Sequence, residues 1–343
     1  MNDKIIRLAR ELSDYIIKIR REIHMNPELA FEEFKTSKLV KEELGKLGID
    51  VLETAKTGVI GILKGKKEKP VVALRADMDA LPINEENDIP YKSRIPGKMH
   101  ACGHDAHVAM LLGAARVLSE IRYDLRCTVK FIFQPAEEKG LGAKKVIEEG
   151  HLEGVNAIFG LHVWSELESG KVGIRDGPTL AGADAFEVRI KGKGGHAAAP
   201  HETVDPIVIA ADLINAYQKI VTREVNPLDN VVITVAKISA GTTHNVIPEE
   251  AVMLGTIRTF RKEVREYVIK RMKEISEGYA RALRARAEFK LKEAGIPPTV
   301  NNSELATFAR RLLSEVGIAE VVSDVKPSMG AEDFALYAEK VKG

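Results

Sequence analysis

The chain has 343 residues, with 51 Lys and Arg against 50 Asp and Glu and a formal net charge of +1. No one-signed field gathers phosphates or anionic lipid, which argues against nucleic acid as a partner. The length exceeds what one hydrophobic core usually supports and predicts two domains. No stretch approaches the ~20 consecutive apolar residues that cross a bilayer, and the two cysteines, Cys102 and Cys127, are too few for a secreted disulfide framework, so a cytoplasmic location and no membrane association are expected.

The N-terminal MNDKIIRLARELSDYIIKIRREIH reads as one amphipathic helix, and FEEFKTSKLVKEELGKLG as a second that stops at a glycine. GVIGILKG and PVVALRADMDALP follow as strands rich in β-branched residues. A helix from about Ala106 to Ile121, the strand CTVKFIFQP, a helix over GAKKVIEEG and the apolar strand NAIFGLHV continue the alternation. This pattern predicts an α/β layer on a largely parallel sheet, with polar chemistry at the strand ends.

From Phe186 to Leu291 the grammar changes to strand, helix, two strands, helix, strand: FEVRIKGKG, Asp205–Val221, VVITVAKISAG, AVMLGTIRTF, Glu263–Ala282 and RAEFKLKEA. It suits a smaller ferredoxin-like α+β domain inserted in the larger one. The expected domains are 1–183 with 294–343, and 184–293. Helix and strand resume around ELATFARRLLSEVG and VVSDVKPSMGAEDFALYAEK. Gln134 and Gln218 are the only glutamines among abundant Lys, Arg and Glu, a balance that suggests a thermophile.

The segment HACGHDAH, His100 to His107, concentrates three histidines, a thiol and a carboxylate before a helix. In an extended loop Cys102 and His104 can converge on one ion, and thiolate with imidazole suits zinc-like metals; the alternative is a polar cap with a buried thiol. Glu137 and Glu138 follow an apolar strand, where one can ligate metal while the other takes a proton from water, although such a pair is more often solvated. His162 ends another apolar strand. Asp77 and Asp79 share one side of their strand, and Asp79 is expected to hold a ligand imidazole by its far nitrogen.

RADMDALP, MHACGHDAHVAMLLGAA, FQPAEEKGLGAKKVIEEG, GLHVW, GKGGHAAAPH, THNVIPEEA and GAEDFALYA together resemble the amidohydrolase branch of the aminoacylase and carboxypeptidase family of two-metal peptidases. The resemblance implies a larger two-metal catalytic domain, with Cys102, His104, Glu138 and His162 as ligands and Glu137 as general base. It also implies that His196 on the smaller domain approaches the reacting carbonyl, where its N–H can stabilise an oxyanion. Asn245 and Arg258 would grip the substrate, the guanidinium suiting a carboxylate. The smaller domain would pair as a homodimer or higher homo-oligomer. His201 and His244 receive no role; Cys127, Met78, Trp164 and His151 are read as structural.

Hydrolysis of an N-acyl amino acid is therefore the leading expectation, with removal of a C-terminal residue from a short peptide as its alternative. Two divalent ions are expected, zinc first, with manganese, cobalt or nickel able to serve. The resemblance also implies a last ligating histidine some tens of residues beyond GAEDFALYA, and no histidine follows Ala331. A shortened C-terminus is expected on that ground, and a non-catalytic metal-binding or dimer-forming remnant is the reading from another class.

Overall fold

The computed structural model describes residues 2–292 and 295–343, so the expected boundary at 293/294 lies outside the described residues. The chain forms two compact units: the stretch up to Gly177 with Val300–Val325 and Asp333–Gly343, and Pro178–Thr299 with Lys326–Glu332.

The first unit opens with a helix break the sequence pattern did not suggest. Its first stretch is two helices, α1 (Asn2–Glu11) and α2 (Ser13–His24), separated at Leu12, whose ψ of 2° leaves the helical range. Helix α3 (Phe34–Lys46) leads into β1 (Asp50–Thr54), β2 (Gly58–Lys64) and β3 (Val71–Asp77). After α4 (His104–Glu120) come β4 (Thr128–Gln134), α5 (Gly142–Glu148) and β5 (Val155–Gly160).

These strands form one sheet in the order β1-β2-β4-β3-β5. β3 runs parallel to β4 and β5, but β1–β2 and β2–β4 are antiparallel. The sheet is therefore mixed, not largely parallel. The cause is local: Ala55 and Lys56 take positive φ values of 46° and 73°, so β2 returns beside β1 through a tight turn, without the crossover that parallel strands require.

Side chains alternate across the sheet with period two, and both faces are buried. Val59, Leu63, Phe131 and Phe133 meet Leu44 of α3 and Leu112 of α4 in one core. Ile60 and Ile132 face the other way, onto Ile158 and Val146. Each large apolar side chain so buried contributes ~1.5–3 kcal/mol, so two helical layers fix the sheet between them. Because β3, β4 and β5 are parallel, in a register that sets Asp77 against Gln134 and Arg75 against Gly160, their carboxyl ends open on one edge.

The second unit holds β6 (Gly182–Lys191), β7 (Val231–Ala240), β8 (Glu250–Thr259) and β9 (Arg286–Leu291), all antiparallel in the order β7-β8-β6-β9. Helices α6 (Pro206–Lys219) and α7 (Lys262–Ala282) pack on it around Phe186, Val188, Leu213, Met253 and Met272, the ferredoxin-like arrangement. Asp205 starts α6 by accepting the Ile207 N–H at 2.8 Å. Gly255 is required by close packing, since a Cβ there would lie 2.4 Å from the Phe186 ring. Lys326–Glu332 clusters with this unit because Ser328 pairs with Leu180 and accepts the Ala181 N–H at 3.0 Å.

The chain returns to the first unit in α8 (Ser303–Val316), which Asn302 caps through the Leu305 N–H and Gly317 ends at a φ of 65°. Helix α9 (Phe334–Ala338) places Phe334 and Tyr337 in the second core. Among the described residues no helix is long and apolar enough to cross a membrane.

Candidate metal centre

At the carboxyl edge of β3, β4 and β5 the first unit gathers Asp77, Asp79, Glu137, Glu138 and His162, together with Cys102 and His104 from the start of α4. Gly103 makes the convergence possible. Its φ of 87° turns the chain between Cys102 and His104, and a Cβ there would strike Val163 Cγ2 at 2.3 Å. Cys102 Sγ lies 3.4 Å from His162 Nε2. His162 Nδ1–H donates to the Val163 carbonyl at 2.6 Å, which leaves Nε2 with its lone pair toward the thiol.

Three donor sets meet at His104, one of them with Asp77 and His107, and two carry the expected ligands. Ligand atoms of Cys102, His104 and His162 lie within 4.8 Å of one another, as do those of His104, Glu137 and Glu138. His104 is fully buried, and neither ring nitrogen makes a hydrogen bond. Its Nδ1 is 3.4 Å from Asp79 Oδ1, an ion-pair distance without hydrogen-bond geometry, and its Nε2 is 3.6 Å from Asp77 and 3.9 Å from both Glu137 and Glu138. Burial pulls the imidazole pKa down, but Asp77, Asp79 and Cys102 outweigh it and hold it well above its usual value. A buried imidazole beside four carboxylates makes a site that demands positive charge. A thiol with imidazoles on one side and carboxylates on the other is a donor set that divalent ions fit.

Electrostatics prepare the other donors. Burial raises the Cys102 thiol, but the neighbouring His104 and His162 rings lower it overall. Burial pushes Glu138 up, with Asp79 and Asp77 adding to it.

The support beneath the centre is a polar network that the sequence left without roles. Arg75, buried in β3, donates to Asp77 Oδ2 at 2.6 Å, Gln134 Oε1 at 2.9 Å and Asp333 Oδ1 at 3.0 Å. Asp77 Oδ1 accepts His107 Nδ1–H at 2.6 Å, and His107 Nε2 accepts the Val163 N–H at 2.9 Å. Burial raises Asp77, but Arg75, His104 and His107 together hold it well below the ordinary carboxylate range. On the other side, Gln134 Nε2 reaches both Asp333 oxygens at 2.8 and 2.9 Å, and the Asp333 N–H donates to Glu137 Oε1 at 3.4 Å.

Asp79 lies 3.4 Å from Nδ1 of His104 and also serves the backbone. Its two oxygens accept the backbone N–H groups of Glu137 and Glu138, both at 3.0 Å, and so fix the acidic turn. Ala136 enters that turn at a φ of 55°, held by its N–H to buried Glu33 at 2.9 Å. Asp77 in turn grips an imidazole, that of His107. The available signals were Arg and Gln inside otherwise apolar strands, VVALRAD and FIFQ. Trp164 is 37% exposed, with its ring edge-on to His162 at 5.7 Å.

His196, Asn245 and Arg258 lie in the second unit. His196 pairs with Val246 in a two-residue ladder, and the Ala197 N–H donates to the Asn245 carbonyl at 3.1 Å, so His196 and Asn245 are strand neighbours. His196 Nδ1 accepts the Ala198 N–H at 3.0 Å, which puts the proton of the neutral ring on exposed Nε2. Arg258 pairs across the sheet with Val232 and Ala183, and its guanidinium makes no ion pair among the described residues. Nearby Asp184 is already held by Arg265 through two 2.6 Å bonds.

A profile of the peptidase family M20/M25/M40 matches residues 73–343. The chain belongs to this family. It is similar to the N-acetylcysteine deacetylase of Bacillus subtilis (strain 168), 44% identical over 96% of this chain and 86% of that protein. It is also 44% identical to thermostable carboxypeptidase 2 of Saccharolobus solfataricus, over 99% of this chain and 87% of the other. Its fold is that of the Bacillus subtilis YXEP protein, described as a dinuclear metal-binding peptidase of the M20 family, with a TM-score of 0.86 and 41% identity over 97% of this chain and 88% of that one. In this M20 chain the two donor sets support two divalent ions.

Proposed function

We propose that the protein hydrolyses the amide bond of N-acyl amino acids at a centre of two divalent ions held by Cys102, His104, Glu138 and His162. The observation that carries this reading is His104, buried without a hydrogen bond between two donor sets. The thiol and imidazole set favours zinc, with manganese, cobalt or nickel as substitutes. Bound divalent ions supply carbonyl polarisation and a water of lowered pKa.

Glu137, steadied by the Asp333 N–H, takes the proton of the attacking water and passes it to the departing amine. Asp79 keeps Glu137 and Glu138 on one turn while the two carboxylates do different work. The first unit is the catalytic domain, and the second is the lid and dimerisation domain. From the second, His196 offers an N–H to the developing oxyanion, Asn245 contributes a side-chain amide, and Arg258 binds the substrate carboxylate. Strand β7 is an edge strand with an exposed second half, including Ile238, and supports a homodimer or higher homo-oligomer. Both cysteines are free thiols, which supports a cytoplasmic setting; the 44% identity to a thermostable carboxypeptidase supports a thermophilic one.

That same relative favours a second reading, removal of C-terminal residues from short peptides, since both substrates present a carboxylate beside the scissile amide. Metal analysis and rates on acyl amino acids and blocked dipeptides, beside Glu137→Gln and metal-stripped controls, test the assignment. Two metals per chain with turnover reduced by a factor on the order of 10²–10⁴ in the variant is the expected result. Protein that holds at most one ion and turns over neither substrate class would instead be a non-catalytic remnant.

A further inference from the structure

Beside the polar centre the first unit leaves an apolar surface that its own packing does not explain. Leu161, Val163 and Trp164, which bracket His162, are 65%, 41% and 37% exposed. The segment is nevertheless firmly held. Val163 donates its N–H to His107, accepts from His162 at its carbonyl, and lays its side chain over Gly103. The Leu167 N–H closes a turn onto the Trp164 carbonyl at 3.2 Å. Apolar side chains kept in water by a pinned backbone mark a surface that a ligand covers.

The geometry points to this rim as the acyl subsite, with Trp164 as its wall and aromatic or long aliphatic acyl groups as its preferred occupants. The inference rests on the amidohydrolase reading. An amide carbonyl placed at the centre has its acyl substituent within reach of the ring beside His162, because Trp164 already touches that imidazole edge-on. The other half of the substrate carries a carboxylate, which this rim repels. The charged side chains that follow Trp164 are Glu166, exposed and without an ion pair among the described residues, and Glu168, already bound to Lys171 at 2.8 Å. An aromatic acyl group would also gain an offset or edge-on ring contact beyond its buried area.

Trp164 is the only tryptophan in the chain, so its emission reports occupancy directly. Metal-loaded Glu137→Gln protein is titrated with the N-benzoyl and N-acetyl forms of one amino acid. A saturable emission change, reached at lower concentration by the benzoyl form, is expected. In parallel, the benzoyl-to-acetyl ratio of kcat/KM is compared between the parent, Trp164→Ala and Trp164→Phe. The ratio should fall about tenfold in Trp164→Ala, mostly through KM, and recover in Trp164→Phe. An unchanged ratio, or emission that ignores both ligands while the parent still turns them over, overturns the acyl subsite and leaves the hydrolase reading standing. Saturable emission without turnover of any acyl amino acid by the parent does the reverse. If Trp164→Ala fails to fold, the titration and Trp164→Phe still decide.

Discussion

Arg75 and Asp333 stand 258 positions apart in the chain and meet in a buried ion pair of 3.0 Å. Through this pair the start of the first unit's sheet is tied to the segment that enters α9, and both ends of the pair reach the metal centre. Arg75 acts through Asp77 and His107 on the loop that carries His162; Asp333 acts through its N–H on Glu137. Removing one partner leaves the others charged and buried. Arg75→Met should therefore cost about 3–5 kcal/mol of unfolding free energy, read from urea denaturation. A loss below ~1 kcal/mol would show that water relieves the abandoned carboxylates and that the pair is not a structural tie.

His107 offers a test in which the fold is less at risk. Both of its ring nitrogens are engaged, one by Asp77 and one by Val163, so although its atoms lie close to those of Asp77 and His104 neither nitrogen is left for an ion. His107→Ala should weaken metal binding by about 10–100-fold, since the outer partners of metal ligands carry effects of that size. Competition with a coloured chelator measures it. Parent-like affinity in the variant would mean that Cys102 and His104 alone position the loop of His162.

Much of the fold was legible because it follows from period. The alternation of strands and helices and the βαββαβ order of the second unit are written in apolar spacing, and the chemistry-bearing residues were visible as types in unusual places. The antiparallel β2 was not, because the turn depends on Ala55 and Lys56 adopting positive φ, which neither residue type announces. The roles of Arg75, Gln134 and Asp333 were hidden for another reason. An Arg and a Gln inside apolar strands mark buried polar groups, but a pair between residues so far apart leaves no local pattern that names the partner. Asp79 illustrates the limit at the centre itself: β3 ends at Asp77, before Asp79, and its service to the backbone of Glu137 and Glu138 depends on how β4 ends beside β3.

Gly103 joins local conformation to chemistry. Its left-handed φ of 87° and the 2.3 Å approach of Val163 to a Cβ leave no room for a side chain. Gly103→Ala should cost ~1–3 kcal/mol in stability, and it should lower kcat/KM further than that loss explains, because the strain falls between Cys102 and His104. Rates taken well below the variant's melting temperature separate the two effects. Full activity there would mean that the backbone relaxes without moving either ligand.

Stability at high pH should depend on Tyr217, far in sequence from the metal-binding motifs. Its hydroxyl bonds to Ser276 Oγ at 2.6 Å between α6 and α7, and burial pushes its pKa up to about 12. In the unfolded chain a tyrosine ionises near 10. The folded state therefore binds the proton more tightly, and the associated stability is intact below about pH 10 and lost as pH rises toward 12. Two pH units of difference correspond to roughly 2–3 kcal/mol. Tyr217→Phe removes the ionisable group together with the hydrogen bond, which is worth about 0.5–1.5 kcal/mol. The variant should thus be slightly less stable than the parent at neutral pH yet lose less stability between pH 10 and 12, so that the two urea midpoints converge or cross. Midpoints that fall in parallel over this range would show that the hydroxyl ionises as easily in the folded protein as in the unfolded one.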